Sequence, residues 1–441
     1  MPHACQPAAK AQQSASVIIE IINTGAELML GRVLNTHQQW LCGQLAYAGY
    51  EVTRMVGIDD TADRIQAAVR EALDHADLVI TTGGLGPTSD DLTRDAVARL
   101  LGRSLHEDAD VLAHIDQWFA HRKRPQPPAT RIQAQVPDGA LVLPNAHGTA
   151  PGLLIDCGPR PGGTSASRWL VMLPGPPREL RPMFTTQVLP WLKRTFPLTE
   201  PFVCRTLRST GIGESAVQER IAPALAPLVA EGLTIGYCAR PGEVDVRLVA
   251  RHPEAERIVT QAEAIVRAAL DRQLFGIETE PLEAIVVQLL IERGATLVVA
   301  ESCTGGRLAN RLTDVAGASA VFVGGAITYS NAMKQQLLGV RAETLAAHGA
   351  VSEAVAREMA GGARQRLGAD FALATTGIAG PSGGSEAKPV GTVFIGLATP
   401  ARTLVLAQQN RFDRDTFKQI TTQQALEVLR RELLAPPPTD R

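Results

Sequence analysis

"DLVITTGGLGPTSDDLTRDA", Asp77 to Ala96, carries three signals in one run. A continuous apolar stretch closes on paired glycines. A third glycine, a proline and acids follow, and the apolar spacing then becomes helical. This reads as a strand buried on both faces, a sharp turn and a helix. A strand feeding straight into a helix is the building unit of a sheet with helices on both faces. The flanking sequence repeats the unit. "SVIIEIINTG" (Ser16–Gly25) and "RWLVMLPGPPREL" (Arg168–Leu180) are strands closing on turns, and "TADRIQAAVREALDHA" (Thr61–Ala76) has helical spacing. Residues 16–198 are therefore expected to form an α/β domain on a parallel sheet. Its basic, proline-rich "HRKRPQPPATR" (His121–Arg131) is expected as a surface loop.

Two further parts follow. Residues 199–276 give a β-α-β-β-α order, with "GLTIGYCA" and "GEVDVRLVA" as a hairpin. This small α+β module is similar to the KH fold. The Gly-x-x-Gly nucleic-acid clamp is missing, and "GIGE" carries an acid instead, so a structural spacer is expected rather than an RNA binder. Residues 277–435 interleave strands "TLVVA", "AVFVGGAITYS", "FALATTG" and "GTVFIGLAT" with helices, which predicts a second layered α/β domain. Residues 1–15 and 436–441 read as disordered ends.

Composition narrows the function. The 441 residues carry 43 Lys plus Arg against 45 Asp plus Glu, so nucleic acid and anionic membranes are not expected as partners. No apolar run is long enough to span a bilayer, and the N-terminus lacks a signal core, so the expected location is cytoplasmic. The six cysteines are scattered without a Cys-x-x-Cys pair, which fits reduced thiols and not a zinc site.

The first candidate site is the opening stretch itself. Gly83, Gly84 and Gly86 let the backbone approach a ligand, and Thr88 and the following helix start suit a phosphate. Asp90, Asp91 and Asp95 lie at that start, where carboxylates also serve simply as capping groups. Acids beside a phosphate cradle can equally hold Mg²⁺. Asp59 and Asp60 close a neighbouring strand, where ligands bind in such sheets.

The second candidate site lies in "AESCTGG" (Ala300–Gly306), between strand "TLVVA" and a helix. Ser302 or Thr304 there could cap the helix. The same turn could also lower a thiol pKa or hold an oxyanion on N–H groups near Gly305 and Gly306. A serine–histidine mechanism would need His348, the one histidine after residue 277, which a helix-end role explains. Lysine is the other base, since a neutral amine can take a serine proton. The chain has six lysines. Lys334 in "AITYSNAMKQQLLGV" reads either as an exposed first-turn residue or as that base. Lys388, after a Gly/Ser loop, suits substrate binding better. A third glycine-rich strand end, "ATTGIAGPSGG", offers Thr375, Thr376 and Gly377.

The motifs "GAELMLG", "TTGGLGPTSDDLTRDA", "GTAPG" and "LPGPPREL" resemble, in order, the N-terminal domain of the CinA family, related to the MoaB/MogA fold. "AESCTGG", "ITYSNAMKQQLLGV", "HGAVSEAVAREMAGGA", "TTGIAGPSGGSEAKPVGTV" and "FDRD" resemble the CinA C-terminal domain across nearly all of residues 280–430. The resemblance implies deamidation of nicotinamide mononucleotide to nicotinate mononucleotide, with no cofactor. Ser302 would be the nucleophile and Lys334 the base. Tyr329 would assist proton transfer or orient Lys334, Thr376 would hold the amide, and Arg414 would bind substrate. For the N-terminal domain it implies a divalent-metal ADP-ribose pyrophosphatase, with Asp59 and Asp91 matching family acids and Asp95 nearby. A homodimer is also implied. One departure stands out: Asn35-Thr36-His37 replaces Asp-Thr-Asn. A single-headed enzyme with a binding-only first domain, or a non-enzymatic competence-linked partner, are the competing readings.

Overall fold

A computed structural model describes residues 17–160 and 167–435; both expected disordered ends lie outside the described residues. The chain divides into two units, Met1–Phe202 and Val203–Arg441.

The first unit is built on eight strands: β1 (Ile19–Thr24), β2 (Val52–Ile58), β3 (Leu78–Thr82), β4 (Leu105–Glu107), β5 (Gln135–Pro137), β6 (Ala140–Leu143), β7 (Gly152–Pro159) and β8 (Ser167–Leu173). Its main sheet runs β2-β1-β3-β8-β7-β6. The first four strands are parallel, as expected, and β7 and β6 extend the sheet as antiparallel strands. Antiparallel neighbours need only a short loop, and these two dispense with crossover helices. Every residue of β1 and β3 is buried, whereas edge strand β2 alternates. Pleating sends successive side chains to opposite faces. Ile22 and Val79 feed one core with Val69 and Val97, while Ile21 and Ile80 feed another with Leu41 and Phe184. The basic loop is only half a loop: Pro128–Ala134 is a 3-10 helix that buries Gln133 and Ala134.

The second unit starts with β9 (Phe202–Thr210), β10 (Leu233–Arg240), β11 (Glu243–Arg251) and β12 (Leu274–Ile277), in sheet order β10-β11-β9-β12. Helices Glu214–Ala230 and Ala255–Leu270 bury Val217, Ile221, Val259 and Val266 against it. The remainder carries β13 (Leu297–Glu301), β14 (Phe322–Ile327), β15 (Phe371–Gly377), β16 (Thr392–Ala398) and β17 (Thr403–Gln409), ordered β14-β13-β15-β16-β17. β14, β13 and β15 are parallel; β16 and β17 return antiparallel. Helices Leu282–Arg293 and Arg414–Leu434 contribute Val286, Leu290, Phe417 and Leu426 to one core, and helix Glu353–Leu367 contributes Val355 and Met359 to the other.

Two packing features position the second site. A Cβ on Gly362 would lie 1.8 Å from the Leu338 carbonyl oxygen, so only glycine lets helices Glu353–Leu367 and Asn331–Leu338 come this close. The C-terminal helix also anchors in the KH-like module. Buried Arg430 pairs with Glu427 and donates to the Arg272 carbonyl at 2.6 Å, and Gln423 donates to Thr210 Oγ1 at 3.4 Å. The middle module is therefore a support for that helix, more than the expected spacer.

No helix among the described residues is long and apolar enough to cross a membrane.

Candidate active sites

In the first unit a cavity of about 630 Å³ opens at the glycine turn. Gly83, Gly84, Gly86, Asp90 and Asp91 line it, with Thr24, His37 and Gln133. The glycines follow from contact. At Gly84 φ is +69° and a Cβ would stand 2.0 Å from Thr93 Oγ1; at Gly86 it would stand 2.3 Å from Asp91 Oδ2.

The acids sort differently from the sequence reading. Asp59 does not reach the cavity: it accepts from Thr61 Oγ1 at 2.8 Å and pairs with Arg64 at 2.7 Å, holding the entry of the next helix. Asp95 pairs with Arg94 at 3.1 Å and also stands off the wall. Thr88 is drawn out of the wall by hydrogen bonds from its N–H (2.9 Å) and its hydroxyl to Asp91. Neighbouring Asp60 faces the cavity instead. Burial pushes its carboxyl up, and Glu27, Asp90 and Asp91 add repulsion. Glu27 and Glu179 complete the acidic wall. Glu179 is buried and accepts from Asn145 Nδ2 at 2.8 Å. It follows the prolines of "LPGPPREL", where an acid in a first turn is a usable signal. The Asn35–His37 departure is also explained locally. Asn35 caps helix Thr36–Tyr47 through Gln38 N–H at 3.1 Å. His37 lines the cavity, and burial holds its imidazole below the usual histidine range. Of the three acids expected to hold a metal only Asp91 lies on the wall, and among the described residues no three His, Cys, Asp or Glu side chains gather as a ligand group. Asp59, Asp91 and Asp95 are each tied to other partners.

In the second unit, β13 ends at Glu301 and the turn carries Ser302. Lys334 Nζ stands 3.0 Å from Ser302 Oγ. The same amine donates to the carbonyls of Thr328 at 2.8 Å and Tyr329 at 3.3 Å. Lys334 is 1% exposed and no carboxylate pairs with it among the described residues, so it is not the exposed helix residue of the simpler reading. Burial holds the amine below the usual lysine range. The three acceptors suit both protonation states. A neutral amine has two N–H bonds and one lone pair; with the N–H bonds on the two carbonyls, the lone pair faces the serine hydroxyl. Ser330 caps the Lys334 helix through Met333 N–H at 3.2 Å, which fixes its first turn.

Glu301 is the residue the sequence reading passed over. It is 1% exposed, and its carboxylate accepts from the N–H groups of Gly306 (2.9 Å), Leu308 (3.1 Å) and Ala309 (2.8 Å). The start of helix Arg307–Thr313 is thus filled by the protein's own anion. The turn does not activate the thiol: Cys303 is buried and its pKa is pushed up to about 12, as suits a bystander. Gly306 N–H is likewise spent on Glu301 rather than held for substrate. An acid ending an otherwise apolar buried strand was the available signal.

The other residues hold the frame. Tyr329 is 63% exposed; its carbonyl meets Lys334, but its hydroxyl accepts from Arg414 at 3.0 Å. It therefore orients the lysine through its backbone and not its phenol. Arg414 also donates to the Gly380 carbonyl at 2.9 Å, tying the "GIAGPSGG" loop to the C-terminal helix. Thr376 donates to the Ala350 carbonyl at 2.8 Å, and Thr375 shares a 2.7 Å contact with Thr304; neither hydroxyl is bonded to Ser302 or Lys334. Gly377 packs close to Phe417, where a Cβ would meet the ring at 3.0 Å, so it is a packing glycine. Lys388 Nζ donates to the His348 carbonyl at 2.6 Å, pinning its loop to a helix end. Gly305 lies beside Lys418.

Three family descriptions match the chain: "Probable molybdopterin binding domain" over residues 20–194, "Damage-inducible protein CinA KH domain" over 204–276 and "CinA C-terminal domain" over 279–433. A Symbiobacterium thermophilum relative, whose name refers to competence-damage induction, is 45% identical over 95% of this chain and 99% of its own. A CinA-like protein of Gemmatimonas aurantiaca is 42% identical over 94% of this chain and 96% of its own. Among solved structures, the competence/damage inducible protein CihA from Agrobacterium tumefaciens is 42% identical, covering 34% of this chain and 91% of that one, with a TM-score of 0.33.

Proposed function

The chain belongs to the CinA family, and from that premise we propose that its C-terminal module is a serine–lysine amidohydrolase acting on nicotinamide mononucleotide. One observation carries the reading: a buried, carboxylate-free lysine 3.0 Å from a serine hydroxyl at a glycine turn. Ser302 Oγ attacks the carboxamide carbon while its proton passes to the Lys334 lone pair. The tetrahedral centre collapses, Lys334 returns that proton to the leaving nitrogen, and ammonia departs. Water then attacks the Ser302 ester, giving its proton to Lys334. That proton returns to Ser302 Oγ as the ester breaks and nicotinate mononucleotide leaves. Lys334 must start neutral, and burial without a counter-ion favours that state. The reading is tested by ammonia release from nicotinamide mononucleotide. Wild type should release it and Ser302→Ala should not; equal release by both refutes the serine mechanism.

For the first unit we propose a pocket for a nucleotide-type ligand, with ADP-ribose as the substrate to test. Five acids face that pocket, and among the described residues no three are gathered closely enough to hold one ion. The competing reading is a unit that binds and does not cleave. Release of AMP from ADP-ribose, with and without Mg²⁺, separates the two, and loss on Asp91→Ala would support cleavage.

A further inference from the structure

Three cations of this module already hold partners, one of them a carboxylate. Arg307 is paired with Asp415, Arg414 is held by Gly380 and Tyr329, and Lys388 is spent on the His348 carbonyl. The start of the neighbouring helix is closed to anions, because Glu301 takes the N–H groups of Gly306, Leu308 and Ala309. A fourth cation has no such partner among the described residues. Lys418 is half-buried on the C-terminal helix, four residues after Arg414 and so on the same face. Its amine approaches to 3.6 Å from the point where a side chain on Gly305 would begin, and among the described residues it makes no side-chain hydrogen bond or ion pair. Gly305 has φ +62°, and a side chain there would stand in ordinary contact with the amine. The turn is three residues past Ser302, a chain reach of at most about 10 Å.

We propose that Lys418 is the phosphate-binding residue of this site, receiving the phosphomonoester of the substrate while the carboxamide lies at Ser302. This rests on the deamidase reading above. An ammonium held near a bare glycine backbone, unpaired and beside the nucleophile's turn, is a monodentate seat for a phosphate dianion. It gives the enzyme a means to prefer a mononucleotide over the corresponding nucleoside.

The test compares the full-length wild type with Lys418→Gln and Lys418→Arg on two substrates, nicotinamide mononucleotide and nicotinamide riboside. With Lys418→Gln, kcat/KM for the mononucleotide should fall about 10- to 100-fold, the worth of one charge-assisted hydrogen bond, while the riboside is unchanged. Lys418→Arg should stay within a few-fold of wild type, which separates loss of charge from misfolding. An unchanged mononucleotide rate, or an equal fall on both substrates, overturns the assignment. Calorimetric binding of ribose 5-phosphate reads the site without catalysis. Weaker binding by Lys418→Gln supports the assignment even if wild type releases no ammonia, a result that would sink only the deamidase reading. Equal binding by wild type and variant, or none by wild type, overturns it.

Discussion

In the first unit five carboxylates (Glu27, Asp60, Asp90, Asp91 and Glu179) face one cavity, with no lysine or arginine among the described residues on its wall. In the second unit a single lysine is buried against a serine, and the carboxylate one residue before that serine is consumed by three backbone N–H groups. The first arrangement leaves charge facing solvent-filled space, where repulsion among acids is relieved by an incoming counterpart or a proton. The second settles its carboxylate on backbone N–H groups and buries an amine that burial holds below the usual lysine range. Carboxylates gathered on a cavity wall point to recognition; an amine whose charge burial disfavours points to proton transfer.

The largest effect should come from breaking the second arrangement at its centre. Lys334→Arg keeps a cation that cannot act as a base, so ammonia release should fall about 10²- to 10⁴-fold at every pH. In wild type the rate should rise with pH as the amine deprotonates, and burial sets the midpoint below the ordinary lysine value of 10.5. A pH profile that falls across that range would remove Lys334 as the base. Next is Glu301→Gln, which puts an amide against the N–H groups the carboxylate now satisfies. Chemical denaturation should show a loss of about 2–3 kcal/mol. Gly362→Ala drives a methyl into the Leu338 carbonyl and should cost about 1–3 kcal/mol while lowering kcat, because the displaced helix carries Lys334. The smallest effect, with the opposite sign from Glu301→Gln, belongs to Asp60→Asn. The Asp60 carboxyl is raised by burial and by Glu27, Asp90 and Asp91, so its charge costs stability in full above its folded pKa, and the cost fades as pH falls from there to the lower unfolded value. Asp60→Asn should therefore be neutral or stabilising by up to about 1 kcal/mol at neutral pH, with no gain in acid. A loss like that of Glu301→Gln would erase the contrast between the two regions.

Much of this was legible in the chain. Buried runs ending in glycine gave the α/β layers, and a lysine in an apolar segment pointed to Lys334. The antiparallel strands β6, β7, β16 and β17 were harder, because strand direction is set by partners far away in sequence and not by local pattern. Asp59 and Asp60 show why the first site was only half readable. They are adjacent, and one step of chain decides which of them faces the cavity. Thr88, Asp95 and Thr376 were drawn away by hydrogen bonds to partners that spacing cannot announce. Glu301 was hidden by position: an acid closing a buried strand looks like the first polar residue of a loop until the fold brings three amides around it.

The helix Arg414–Leu434 acts as a lever. From Arg414 to Arg430 it spans about 24 Å, with its first turn bonded to Gly380, Tyr329 and Arg307 at the site and its other half clamped by Thr210 and Arg272 of the KH-like module. Loosening that clamp tilts the arm carrying Arg414 and Lys418 without touching the serine. Lesions in the middle module should therefore surface as a raised KM with kcat spared, which makes this small module an adjuster of grip rather than of chemistry.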